Sequence, residues 1–376
     1  MPECDNPLWP CAMTGAAACL AGFRGMSVVI HGSSGCYYYP TTLLHAPLHG
    51  TFIMENEVIH GSEDRLREVI GEISGSGDRI AVVTTCVPAI LGEDIQSLLA
   101  EYNVLLVDSP GFSGNAEAGY AKALSCLAPR TGTEAGGVNI DGICLFDPFS
   151  RGNLQEIRRL LSMASIPVGT VFCCDSLEKT HAAAPWTIST NRDFASGVGK
   201  FLGGTLGPAM LGATIESLGN LFELSDVGPV LRELNEQEEE AVRVCDKYLR
   251  RFDPPSVVIF AGASYAEFAA QLLEKYLDAE ILFLGLRNEC GSSRYPSAPV
   301  TGLDEAGDIL CRYNPDLVLG SSFERTVSGG RAFYGITPPL RGTVRLAPPS
   351  LAGINGTLSF LEHVMNACLD HRQQRS

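Results

Sequence analysis

At 376 residues and 45% apolar content, the chain exceeds what one hydrophobic core organises, so two or three folded domains are expected and a disordered protein is excluded. A net charge of −16, from 43 acidic and 27 basic side chains, argues against nucleic acid as the main partner, because neutralising phosphates needs clustered Lys and Arg. Thirteen cysteines suit a reducing cytoplasm better than a disulfide scaffold, no apolar stretch reaches a membrane span, and Met1-Pro2-Glu3-Cys4-Asp5 opens no signal-peptide pattern.

A first α/β unit is expected over 1–137. Its strands are the runs 27–31, 79–84 and 103–107, and its helices 63–73, 93–102 and 117–127. Pro129 to Gly137 reads as a linker. A second unit, 138–252, starts with a strand from Val138. Helix 153–163 follows, with Leu154, Ile157, Leu160 and Leu161 on one face, then a strand over 168–172, a helix over 197–206 and a long helix over 233–251. That last helix is acidic early and basic late, as its dipole favours, with Glu239/Arg243 and Asp246/Arg250 at four-residue spacing, and is expected to bridge domains. A third unit, 253–376, alternates strand 256–263, helix 264–277, strand 281–284, helix 304–313 and strand 317–320. Such alternation predicts parallel strands with crossover helices: an α/β chain of three Rossmann-like domains. Neither Gly-x-Gly-x-x-Gly nor Gly-x-x-x-x-Gly-Lys-Ser/Thr occurs at these turns, so no nucleotide is expected on this chain.

Three turn-rich stretches each present one cysteine: Pro10-Cys11-Ala12-Met13-Thr14-Gly15, His31-Gly32-Ser33-Ser34-Gly35-Cys36 and Thr84-Thr85-Cys86-Val87-Pro88. The last two follow buried-strand patterns, where open α/β sheets bind ligands. Gly32 and Gly35 would let the backbone turn tightly and approach a bulky group. Cys36 lies 25 residues after Cys11, and Cys86 50 after Cys36, so no Cys-x-x-Cys pair closes a zinc site. Position alone leaves packing as a rival role, since free cysteine is often buried. Cys19 reads as core, Cys173-Cys174 as a poor chelate, Cys4 as terminal, and Cys126, Cys144, Cys245, Cys311 and Cys368 as packing residues.

His31 and His60 are candidate proton donors, because imidazole titrates near neutral pH, although His31 equally suits a loop-structuring role. Glu57 and Asp94 are candidate acids, Asp94 also a helix opener. Of Tyr37, Tyr38 and Tyr39, at least one should reach an interface or pocket, since three adjacent aromatics cannot all face one core. The acidic segment Glu55 to Glu63 reads as a docking surface or a solvated turn.

The three cysteine stretches occur in order with Met54-Glu55-Asn56-Glu57-Val58-Ile59-His60-Gly61-Ser62-Glu63, Ile90-Leu91-Gly92-Glu93-Asp94-Ile95, Ser109-Pro110-Gly111-Phe112-Ser113-Gly114 and Gly137-Val138-Asn139-Ile140-Asp141-Gly142. This series resembles nitrogenase component 1 subunits and their cofactor-assembly and tetrapyrrole-reducing relatives, well over residues 5–225 and more loosely beyond. The resemblance implies that Cys11, Cys36 and Cys86 hold an iron–sulfur cluster, 4Fe-4S or larger and P-cluster-like, between paired subunits. It also implies a nitrogenase iron-protein-like ATPase reductase as electron donor, and a homodimer or a heteromer with a paralogue. The larger nitrogenase subunit ligates a second metallocluster through a later cysteine and histidine. The matching stretches here, 184–193 and 342–355, contain neither. What the resemblance then implies is a reductase of an organic substrate, with similarity to the reductive cyclases of nickel sirohydrochlorin a,c-diamide. The alternatives are a cofactor-assembly scaffold and a reductase of small sulfur or carbon compounds.

Overall fold

The computed structural model describes residues 8–132, 136–288 and 293–375. The first sheet contains β1 (Met26–His31), β2 (His49–Gly50), β3 (Arg79–Thr84) and β4 (Val104–Asp108), parallel and ordered β2-β1-β3-β4. Val28, Val29 and Ile30 of β1 and Ala81, Val82 and Val83 of β3 are fully buried, which is why these strands read as continuous apolar runs. Around them lie α1 (Ala12–Ala21), α2 (Ser34–Leu44), α3 (Glu55–His60), α4 (Glu63–Ile73), α5 (Cys86–Leu91), α6 (Ile95–Leu99) and α7 (Ala116–Cys126). Helix α4 buries the stripe Leu66, Val69, Ile70 and Ile73. The helix expected over 93–102 is shorter, because Gly92 takes a left-handed conformation that ends α5 and Asp94 caps α6 through the Ser97 N–H.

Helices α1 and α7 pack backbone to backbone. A Cβ at Gly15 would stand 1.8 Å from the Ala116 carbonyl oxygen, and one at Gly119 1.7 Å from that of Ala12. The starts of the two helices are thereby fixed side by side.

The second sheet, ordered β6-β5-β7-β8, comprises β5 (Val138–Asp141), β6 (Val168–Val171), β7 (Trp186–Ser189) and β8 (Lys200–Gly204), with α8 (Ser150–Met163), α9 (Leu177–Thr180), α10 (Pro208–Leu221) and α11 (Gly228–Leu249). The segment expected as a helix over 197–206 is therefore a strand. Gly197 and Gly199 have φ of 68° and 74°, outside helical space, and a Cβ at Gly203 would meet the Thr214 hydroxyl of α10 at 2.1 Å. In α11, Arg243 pairs with Glu240 rather than Glu239.

The third sheet, ordered β11-β10-β9-β12-β13, comprises β9 (Ser256–Ala261), β10 (Glu280–Leu286), β11 (Ser297–Pro299), β12 (Leu317–Gly320) and β13 (Ala332–Gly335), with α12 (Ala263–Leu277), α13 (Leu303–Tyr313), α14 (Ser322–Val327) and α15 (Gly353–Arg375). All pairings in the three sheets are parallel. On helix α11, Glu233 binds Arg159 of α8, and Glu238 binds Lys275 of α12. The chain approaching α15 is pinned to α8, where Asn153 Oδ1 accepts the Leu351 and Ala352 N–H groups at 2.8 and 2.9 Å. Among the described residues no helix is long and apolar enough to cross a membrane.

Candidate cluster corner and central cavity

Each thiol of the predicted trio stands at the start of a helix. Cys11 caps α1, Cys36 lies in the first turn of α2, and Cys86 opens α5. All three are half-buried. A Cβ on Gly111 would be 3.2 Å from Cys86 Sγ and 3.3 Å from Cys11 Sγ, so both sulfurs flank a place only glycine leaves open. Burial pushes the Cys36 thiol up, and charge on Cys86 or Cys11 would push it further. The Ser33 hydroxyl, donating to Cys36 Sγ at 3.7 Å, and the Thr85 hydroxyl act in the opposite sense. Cys11 Sγ has the Thr14 hydroxyl at 3.7 Å.

Around one ion, metal–sulfur bonds of about 2.3 Å would draw the thiolates to roughly 4 Å from one another. Among the described residues no three His, Cys, Asp or Glu side chains converge in that way. A polynuclear cluster spreads its thiolates over several irons and suits this wider set. Of the two predicted glycines, Gly32 makes room for Thr85, whose Oγ1 would lie 1.9 Å from a Cβ there, whereas Gly35 faces open space.

Helix α2, helix α3 with its cap residue, and helix α5 also carry exposed apolar side chains. Tyr38, Met54, Ile59 and Ile90 are 60%, 71%, 75% and 58% exposed, with Val58 and Leu91 beside them in sequence. Exposed apolar side chains that form one contiguous patch are typical of an interaction surface. Tyr37 instead turns inward, packing on Phe52 and donating to the Leu48 carbonyl.

His31 is wholly buried. Its Nδ1 meets Thr51 Oγ1 at 3.1 Å, and its Nε2 meets Ser62 Oγ at 3.1 Å and Glu93 Oε2 at 3.4 Å. Burial pushes the imidazole down, against the pull of Glu93. These contacts tie the end of β1 to the start of α4. His60 is exposed at the end of α3, Glu57 accepts the Met54 N–H in its own helix cap, and Asp94 caps α6.

A cavity of about 1070 Å³ lies where the three sheets meet, lined by the start of α7, the loop after β7, the turn into α10 and the first turns of α12. Glu117 and Asp193 both line it. The Trp9 indole N–H donates to Glu117 at 2.9 and 3.1 Å, and burial pushes the Glu117 carboxyl up to about 8, with Asp193 adding to the rise. Asp193 accepts from Ser264 N–H and Oγ at the amino end of α12, and burial raises it as well. Neither His31 nor His60 lines this cavity, and among its described lining residues none is Cys or His. Cys290, close in sequence to the lining Asn288, lies outside the described residues, as does Cys4.

One segment separates the two sites. Cys11 forms a backbone bridge with Asn115, and the Ala12 N–H donates to the Gly114 carbonyl at 3.0 Å. Two residues before Cys11, Trp9 holds Glu117 at the cavity wall.

Residues 11–369 match the sequence model of the family described as Nitrogenase component 1 type Oxidoreductase. The chain belongs to that family. It is 24% identical over 225 residues to the nitrogenase iron-iron protein beta chain of Rhodobacter capsulatus, covering 52% of this chain and 48% of that one. It is 28% identical over 184 residues to the nitrogenase iron-molybdenum cofactor biosynthesis protein NifE of Clostridium pasteurianum, 44% of this chain and 40% of that one. The chain thus spans under half the length of these two relatives. The solved structure described as Nitrogenase Cp1 at pH 6.5 superposes with a TM-score of 0.83 at 16% identity, over 99% of this chain and 94% of that one, which establishes the fold.

In this component 1-type chain the expected packing role of five further cysteines holds for Cys144, Cys245 and Cys368, which are buried. Cys126 and Cys311 are exposed, because each falls on the outward side of its helix. Trp9, Glu117 and Asp193 were not distinguished by sequence reasoning. An acidic residue in a first helical turn looks the same whether it complements a dipole or faces a cavity.

Proposed function

We propose that the chain is the cluster-bearing component of a two-component, ATP-dependent iron–sulfur reductase. The observation that carries this reading is the placement of Cys11, Cys36 and Cys86 at helix starts under an apolar rim, one backbone segment from a large cavity of mixed polarity. The three thiolates would hold the cluster, and the cluster would supply one-electron transfer. Three ligands leave a cubane one short, or leave two sets to share a larger cluster, so the rim on α2, α3 and α5 would meet a second copy or a paralogue about a two-fold axis. Electrons would come from a separate iron-protein-like ATPase, since the sequence carries no phosphate-binding loop. The cavity would take the acceptor. Its volume is at the upper end for ligand pockets and its walls mix apolar and polar groups, which suits an organic molecule of tetrapyrrole size.

A second reading, a scaffold for metallocofactor assembly, is favoured by the similarity to NifE. The deciding assay mixes the anaerobically purified protein with an iron protein, dithionite and ATP, and follows the cluster by electron paramagnetic resonance. ATP-dependent reduction followed by reoxidation on adding an acceptor is expected. Equal turnover without ATP or without the iron protein would reject the two-component mechanism, and release of the cluster to an apo-acceptor would support the scaffold.

A further inference from the structure

The two carboxyls that line the central cavity are served differently. Asp193 receives the Ser264 N–H, the Ser264 hydroxyl and the Asn288 side chain, as an ionised group requires. Glu117 shares one indole N–H between both oxygens and, among the described residues, otherwise has only its own backbone N–H. That supply is too small for a carboxylate and sufficient for an acid that brings its own O–H. Among the described residues facing it, Asp193 after β7 disfavours its charge, and Glu267 on α12 is acidic. Arg192, also at the cavity wall, stacks its guanidinium on the Phe201 ring at 5.0 Å and lowers Asp193. Paired titratable groups whose surroundings differ in this way divide acid and base roles between them.

We propose that Glu117 is the proton donor to the electron acceptor in the central cavity, with Trp9 as its positioning residue, an assignment that rests on the cavity being the acceptor site. Geometry supplies the coupling. Trp9 and Cys11 are two residues apart on one segment, so the chain that grips Glu117 also presents a candidate cluster thiol. When the acceptor takes up an electron supplied through the iron–sulfur reductase, the Glu117 O–H bond breaks, a bond from that hydrogen to the acceptor forms, and a carboxylate remains. Water entering past the exposed Gly114 and Ala118 then returns the proton.

Infrared titration of the anaerobically purified protein tests the protonation. A carboxylic-acid C=O band should vanish with a midpoint at about 8, be absent in Glu117→Gln, and move to higher pH in Trp9→Phe, because the indole favours the charged form. A band already lost below pH 6, or retained in Glu117→Gln, would overturn the assignment. Proton delivery is tested with nickel sirohydrochlorin a,c-diamide as probe, together with an iron protein, dithionite and ATP. Glu117→Gln should accept the first electron at the wild-type rate while product forms about 100-fold more slowly, the usual weight of a general acid, and Glu117→Asp should recover part of the loss. Product formation at the wild-type rate in Glu117→Gln would overturn the proposal. Failure of ATP-dependent electron transfer in the wild type would instead count against the reductase reading, and the titration would still decide Glu117.

Discussion

Cys11, Cys36 and Cys86 stand half-buried at helix starts beneath an apolar rim, whereas Cys19, Cys144 and Cys173 are enclosed between the first and second sheets. In the enclosed set the polar groups satisfy one another. Tyr120 donates to the Ile143 carbonyl at 3.0 Å, Cys173 Sγ lies 2.9 Å from the Tyr120 hydroxyl, and Cys19 Sγ lies 3.5 Å from Cys173. Burial pushes the Cys19 and Cys144 thiols well above their ordinary range, so both stay neutral. Accessibility and a helix start, more than cysteine itself, separate a metal-binding thiol from a packing one.

The largest effect expected from this contrast is on metal content. Cys36→Ala or Cys86→Ala should remove most of the iron from protein purified without oxygen, while Cys19→Ala should leave iron per chain unchanged and lower stability by about 2 kcal/mol through the cavity it creates. Full iron in Cys36→Ala would break the ligand assignment. Next in size is assembly. Ile59→Asp with Ile90→Asp puts two charges into the exposed rim, and light scattering should then report a monomer that has lost at least half its iron. A dimer of unchanged affinity would place the interface elsewhere.

Reactivity sharpens the same comparison. In iron-free protein at pH 8, iodoacetamide should modify Cys11, Cys36 and Cys86 together with the exposed Cys126 and Cys311, and Cys19 and Cys144 at least about 100-fold more slowly, since the thiolate is the reacting form. Peptide mapping reads this directly. Equal labelling of Cys19 would mean that the enclosed set opens in solution. A smaller effect follows from Gly111→Ala, whose methyl would sit among the sulfurs at 3.2 and 3.3 Å. Reduced iron occupancy with the fold intact is the expected result, and full occupancy would show that the sulfurs move aside.

Strands buried on both faces were the legible part of the fold. The runs 79–84 and 317–320 match β3 and β12 because β-branched continuity survives only where helices cover both faces of a sheet. Helix α1 was hidden for the opposite reason: Ala12 to Leu20 is buried on every side, which erases the periodicity that marks a surface helix. The segment 197–206 misled because its glycines serve positive φ and close packing on α10, a tertiary demand with no local signature. At the site, the motif order singled out the three cysteines. The cavity was not legible, because Glu117 and Asp193 meet only through the packing of three units distant in sequence.

The smallest predicted effect concerns pH, where the enclosed thiols serve as a silent background. Cys19 and Cys144 stay neutral when folded and ionise in the unfolded chain only as pH nears their ordinary 9.0, so they add little slope below pH 8. Glu117 rises from an ordinary 4.5 to about 8, so the folded chain holds the extra proton between these values. Its contribution to stability is complete below 4.5 and is lost as pH climbs toward 8. Asp147, buried with the Tyr265 hydroxyl donating at 2.6 Å, rises from 3.8 to about 6 and acts with the same sign over the lower window. Calorimetry should therefore show the melting temperature falling by a few degrees from pH 6 to pH 8, with Glu117→Gln flattening that upper slope and Asp147→Asn flattening only the part below 6. An upper slope unchanged in Glu117→Gln would mean that the cavity wall admits enough water to return this carboxyl to its ordinary range. The line between enclosed and accessible groups would then run through the cavity rather than between it and the cluster corner.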